Sequence, residues 1–106
     1  MFLKNITFGR SAISAKGSCY VIAEIDHNHQ GNLDTTQQMI KAAAGCGVQA
    51  VKFQKRDNKS LYTKAFYDKP YDNVNSYGAT YSEYREFLEF CMQEYMELKK
   101  CAEENH

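Results

Sequence analysis

The 106-residue sequence predicts an α/β fold built on parallel strands, and three stretches carry that prediction. Residues 19–25, CYVIAEI, form a continuous apolar run rich in Val, Ile and Tyr. Such a run suits a strand covered on both faces, as parallel sheets require. Residues 48–54, VQAVKFQ, alternate: Val48, Ala50, Lys52 and Gln54 point one way, and Gln49, Val51 and Phe53 the other. Between them, residues 34–47 have the composition of a helix. Two strands joined by a helix of about a dozen residues make a βαβ unit, right-handed by the usual rule.

Residues 1–18 alternate weakly, with Ile6, Phe8 and Ile13 around Gly9 and Gly17, and predict an amino-terminal hairpin or cap. After the first strand, residues 26–34 are a polar loop in which Gly31 permits a tight turn. Asp34 with Gln37 fits a capping box, Ala42, Ala43 and Ala44 favour helix, and Gly45 and Gly47 stop it. Residues 55–79 are polar and aromatic, a loop long enough to be functional or mobile. Thr80 with Glu83 opens a second capping box. Behind it Tyr81, Tyr84, Leu88, Cys91, Tyr95 and Leu98 recur every three or four residues. That spacing predicts one amphipathic helix, or two broken near Phe90 and Cys91. A β-α-β-α order calls for another strand, and two strands alone leave a sheet with open edges. Residues 1–106 therefore read as a single truncated domain: a cap over 1–18, then the first βα units of an α/β protein over 19–106.

Composition narrows the function. Thirteen basic and thirteen acidic residues cancel, so the electrostatic footprint of a nucleic-acid binder is absent. No apolar stretch approaches the about 20 residues that cross a bilayer, and the charged, Gly-containing start is a poor signal peptide. The expected location is the cytoplasm. Cys19, Cys46, Cys91 and Cys101 show no CxxC pair, so small buried hydrophobes are expected rather than a disulfide framework or zinc site.

Ligands of parallel α/β proteins collect at the carboxyl ends of the strands. Glu24 ends the first strand, with Asp26, His27, Asn28 and His29 just beyond, and Lys52 and Gln54 end the second. Both groups converge on one edge of the sheet. A carboxylate there can shuttle a proton or grip a sugar hydroxyl. A strand lysine calls for an anion, such as a substrate phosphate or carboxylate. The alternative is a buried Glu24–Lys52 ion pair between adjacent strands. His27 and His29 have HxH spacing, which suits a metal on a strand and a hydrogen-bonding or solvated role in a loop. Lys55 or Arg56 could rim an anionic pocket; Phe53 and the tyrosine-rich helix read as packing.

These residues resemble a known family. VIAEIDHNHQGNLDTTQQMIKAAAGCGVQAVKFQK is similar to the amino-terminal signature AEIGxNHxGxxxxAxxxIxxAxxxGAxxxKFQ of the sialic acid (N-acetylneuraminate) synthases. The later KPY, YGATYSEYREFLEF and ELKKCAEE resemble the segment that follows it, and the likeness runs over about residues 18–105. The resemblance implies a TIM (β/α)₈ barrel, of which the chain would supply the first two βα units behind an amino-terminal hairpin. A full barrel takes about 250 residues. It implies condensation of phosphoenolpyruvate with an N-acylated hexosamine, N-acetylmannosamine or its 6-phosphate, to a nine-carbon sialic acid. It also implies a divalent metal, Mn or Mg, whose histidine ligands lie in later strands, and a homodimer. Glu24 would be the glutamate at the reacting centre, handling a proton of the attacking water or sugar carbonyl. Lys52 would hold phosphoenolpyruvate with Gln54 beside it touching substrate, and Asn28 and His29 would shape the pocket floor. Asp26 departs from the family's usual Gly and places a bulkier acid at the mouth. On this reading the 106 residues carry half an active site and are inactive alone. The alternative is a non-catalytic fragment or small binding module that keeps the fold seed without the reaction.

Overall fold

The computed structural model of the chain describes residues 5–71 and 78–105. Part of the amino-terminal cap, residues 1–4, and residues 72–77 of the long loop lie outside the described residues. Ile6–Phe8 (β1) and Ser11–Ile13 (β2) pair antiparallel as the expected hairpin, with Thr7 opposite Ala12. The βαβ unit follows: Ile22–Glu24 (β3), Leu33–Gly45 (α1) and Ala50–Lys52 (β4), with β3 and β4 parallel. Register sets Ile22 opposite Ala50, Ala23 opposite Val51 and Glu24 opposite Lys52.

Both strands are shorter than expected, for local reasons. The Gln49 side-chain carbonyl accepts from the Val21 N–H at 2.6 Å and ends the ladder on one side. Asp26 turns the chain into the left-handed region at φ 49° on the other. Val48 is taken up by the end of α1. Its N–H reaches Ala43 O at 3.5 Å while the Gly47 N–H reaches Ala44 O at 3.0 Å, with Gly47 at φ 83°. That is a Schellman ending, and glycine is the residue that adopts it without a Cβ penalty. The start of α1 also differs from expectation. Asn32, not Asp34, is the N-cap and accepts from Thr35 N at 2.9 Å, while Asp34 sits in the first turn where the helix dipole favours an acid.

The long loop contains two single-turn helices, Asn58–Leu61 (α2) and Lys64–Tyr67 (α3). Pro70 then bridges to Thr80. The predicted cap at Thr80 holds: its hydroxyl accepts from Glu83 N at 3.2 Å, while Glu83 Oε2 accepts from the Ala79 N–H at 2.6 Å. The amphipathic stretch breaks into Tyr81–Leu88 (α4) and Met92–Glu104 (α5), with Phe90 buried in the break. α5 packs on α1. Ile25, Ile40, Phe90, Leu98 and Cys101 form the core, with Val51, Phe53 and Tyr95 against it.

Coverage of the sheet is one-sided among the described residues, against the expectation of burial on both faces. Val51 and Phe53 face the core, whereas Val21 and Ile22 are 46% and 53% exposed. An apolar run records that a strand can be buried, not which neighbours bury it. The cysteines differ in the same way: Cys101 is buried, while Cys19, Cys46 and Cys91 are exposed free thiols. No described helix is long and apolar enough to cross a membrane.

Gly31 fixes the approach of the loop after β3 to α4. Its φ is 75°, and a Cβ there would stand 2.5 Å from the Phe87 carbonyl oxygen, a backbone atom that cannot swing aside. Gly31→Ala is therefore expected to lower unfolding free energy by about 1–3 kcal/mol in urea titration. An unchanged midpoint would contradict this packing.

Candidate functional site

Parallel register at the ends of β3 and β4 brings the predicted acid and base together. Lys52 Nζ lies 3.2 Å from Glu24 Oε1, with the side chains 49% and 53% exposed. The pair stands on the sheet face away from the core, so the buried alternative does not describe it. At such exposure an ion pair contributes at most about 1 kcal/mol to stability. Folding alone gives little reason to place two charges on the face of a strand.

Beyond this pair the loops after both strands are tied together by Arg56. Its Nη2 donates to the Gln54 side-chain carbonyl and lies 3.5 Å from Asp26 Oδ1. Asp26 keeps the left-handed backbone that a glycine takes freely; Asp tolerates that region at a cost of about 1 kcal/mol. Asp26 thus presents an acid at the mouth from a left-handed backbone.

His27 is the centre of a second cluster. Arg56 Nη1 lies 3.0 Å from its Nδ1, and Arg85 Nη1 lies 3.3 Å from the same atom. On the far side Glu89 Oε1 is 3.4 Å from His27 Nε2. That distance permits attraction to a protonated ring, yet Oε1 accepts no hydrogen bond among the described residues. Glu89 is committed through its other oxygen, to Lys55 Nζ at 3.2 Å and Arg56 N at 3.3 Å. Arg56 was visible in the sequence as a possible rim residue; Arg85 and Glu89 were not. Arg85 follows Tyr81 by one helical turn and receives no mark of its own in the tyrosine periodicity.

Asn28 and His29 part company. Asn28 is exposed, donates to Ile25 O at 2.8 Å and lines a cavity of about 360 Å³ with Asp26, His27 and Tyr84. His29 is 1% exposed, its ring centroid 4.3 Å from that of Phe90 and its Nδ1 accepting from the Gly31 N–H at 2.9 Å. Neither histidine suits a metal: His27 Nδ1 faces two guanidiniums and His29 Nδ1 is used by the backbone. Among the described residues no group of three or more His, Cys, Asp or Glu could hold a cation, so a divalent metal has no ligand set in them.

Burial, then the charge of Arg56, pushes the His27 pKa below its ordinary 6.5, against the opposing pull of Asp26 and Glu89. Burial, then His27, lowers His29 in the same direction. The folded chain holds both rings neutral where the unfolded chain would bind protons. Their stabilising contribution is present above pH 6.5 and is lost as pH falls below it. Thermal unfolding followed by circular dichroism should show Tm dropping between about pH 7 and pH 5, above the range where most carboxylates titrate. A flat or rising Tm over that window would contradict neutral histidines.

Residues 39–106 match the NeuB family. The chain is 39% identical over 92 residues to the N-acetylneuraminate-9-phosphate synthase of Homo sapiens, covering 87% of this chain and 26% of that one. It is 39% identical over 106 residues to the Drosophila melanogaster enzyme of the same name, covering 99% and 27%. It is also 30% identical over 96 residues to the N,N'-diacetyllegionaminic acid synthase of Legionella pneumophila, covering 87% and 27%. Its fold superposes with TM-score 0.72, at 24% identity, on the N-acetylneuraminic acid (sialic acid) synthetase of Leptospira borgpetersenii in complex with citrate. That likeness covers 97% of this chain and 32% of the other. The chain thus spans about a quarter of the length of the curated relatives it matches. The parallel βαβ core is in keeping with these matches, and the chain belongs to the NeuB family.

Proposed function

We propose that these residues supply part of the active site of a synthase that joins phosphoenolpyruvate to an N-acylated hexosamine. The acceptor is N-acetylmannosamine or its 6-phosphate, and the product is a nine-carbon sialic acid or its phosphate. The observation that carries the reading is the exposed Glu24–Lys52 pair at the carboxyl ends of two parallel strands. On this reading β3, α1 and β4 are the opening of a (β/α)₈ barrel, and the bare face bearing Ile22, Glu24 and Lys52 is its interior. The working enzyme would be a cytoplasmic homodimer.

The chemistry asks two things of this face. The C3 carbon of phosphoenolpyruvate bonds to the sugar aldehyde carbon, water bonds to C2, and the C2–O bond breaks to release inorganic phosphate. The Lys52 ammonium suits the anionic groups of phosphoenolpyruvate as a point charge with three donors. Glu24, beside it, suits transfer of a proton between the water and the carbonyl oxygen that becomes a hydroxyl. Gln54 is held by Arg56 at the edge of this space, where its amide can meet a sugar hydroxyl.

The reading assigns these residues a share of a site, so the direct test is binding rather than turnover. Phosphoenolpyruvate titrated into the isotopically labelled chain should shift the Lys52 side-chain and Glu24 resonances. Lys52→Gln should abolish the shift while moving the unfolding midpoint by less than the equivalent of about 1 kcal/mol. A shift that survives the substitution would refute the assignment. So would a loss of stability several times larger, since that marks a structural ion pair.

A further inference from the structure

We propose that His27 is a proton-operated latch. Its neutral ring seats Arg56, which holds the Gln54 side chain at the edge of the Glu24–Lys52 face, and a proton on the ring unseats Arg56 and frees Gln54. The latch follows from the charges around one imidazole; that Gln54 meets substrate rests on the synthase reading.

The His27 side chain is 12% exposed, and charged groups face it from each segment packed against it. Beyond β4, Arg56 Nη1 stands 3.0 Å from Nδ1 and 3.3 Å from Nε2, so the guanidinium lies against the ring whichever nitrogen carries the proton. On α4, Arg85 Nη1 stands 3.3 Å from Nδ1. Just after α4, Glu89 Oε1 stands 3.4 Å from Nε2. Within its own loop the ring feels Asp26, and His29 lies 5.8 Å away between ring centroids. Tyr84 shares a cavity wall with it. A neutral imidazole offers two guanidiniums a lone pair, whereas an imidazolium has donors only and repels both. Glu89 offsets this in part, because its other oxygen already serves Lys55 Nζ and the Arg56 N–H. A proton on His27 adds a fourth cation, beside Arg56, Arg85 and Lys55, to a cluster holding the carboxylates of Asp26 and Glu89. Burial, then Arg56, accordingly pushes the ring's pKa below 6.5.

Arg56 is the member that yields. Arg85 donates from Nε to the Tyr81 hydroxyl at 2.8 Å, and its guanidinium sits 5.3–5.9 Å from the rings of Tyr62, Tyr81 and Tyr84. Aromatic faces hold that cation in place. The Arg56 guanidinium relies instead on the His27 ring, the Gln54 side-chain carbonyl and a half-exposed Asp26 at 3.5 Å. A planar fork that loses one of its seats loses its orientation, and the Gln54 side chain is released with it. The change stays local. The Gln54 backbone carbonyl accepts from the Tyr95 hydroxyl at 3.3 Å, and the loop is anchored by His29 on Phe90; neither contact uses the His27 ring.

The test is a pH titration of the labelled chain, reading the His27 imidazole, Arg56 Nε and Gln54 side-chain amide signals together. As pH falls below 6.5, the Arg56 and Gln54 signals should move with the midpoint of His27. The methyl signals of buried Ile40 and Leu98 should hold through that midpoint, marking an intact core. H27Q should flatten the Gln54 transition. Two variants that spare the ring test the charges: E89Q should lower the midpoint and R85Q raise it, each by about 0.3 pH unit or more. Arg56 and Gln54 signals that ignore the His27 titration would overturn the latch. So would a transition intact in H27Q, one that coincides with loss of the core signals, or a midpoint moved by neither E89Q nor R85Q. N-acetylmannosamine, titrated at both ends of the transition, should bind about threefold or more weakly where Gln54 is free. A Gln54 transition with equal sugar affinity at both ends keeps the latch and removes Gln54 from the substrate's contacts.

Discussion

The register of two short parallel strands is the constraint on which the rest depends. Glu24 and Lys52 are directly opposite each other because Ile22 pairs with Ala50. A slip of one residue would send one of the two charges into the core, where Val51 and Phe53 now pack. The slip is resisted from several sides. Ile25 continues the ladder by donating to Lys52 O at 3.0 Å and is itself buried in the core. The Schellman ending of α1 delivers the chain to β4 at a fixed point. Packing of α5 on α1 then holds the covered face shut. The charges stand where they do because the apolar residues between them have one place to go.

The break between α4 and α5 is the second fixed point. Phe90 is 2% exposed and stacks on His29, which welds the loop after β3 to the helical layer. Its neighbour Glu89 is thereby carried to Lys55 and the backbone of Arg56, beyond the end of β4. The same stretch delivers Arg85 to His27 from the preceding turn of α4. A packing device and an electrostatic device share consecutive residues, so the rim of the site inherits the rigidity of the core.

Much of this was legible because the signals are local. The order strand, helix, strand follows from an apolar run, an alternating run and the alanine-rich segment between them. The cap at Thr80 follows from spacing over a few residues, whereas the same spacing left open one helix or two broken near Phe90, and the structure has two. The convergence of Glu24 and Lys52 needed only the rule that parallel strands present their carboxyl ends to ligands. Where reading failed, the cause was competition or distance. Asn32 and Asp34 are both good caps, and sequence does not rank them. The four-residue helices α2 and α3 are too short to show a period. The exposed Val21 and Ile22 look apolar whatever covers them. The meeting of Arg85 with His27 spans 58 positions and is decided by tertiary packing alone.

The central claim is that Glu24 and Lys52 act as one ligand site rather than as a stabilising pair. A double-mutant cycle with Glu24→Gln, Lys52→Gln and the combined variant, read both on phosphoenolpyruvate affinity and on unfolding free energy, separates the two directly. The account predicts strong non-additivity in affinity, at least about tenfold, with a coupling in stability below about 1 kcal/mol. Additive effects on affinity together with a large coupling in stability would contradict it.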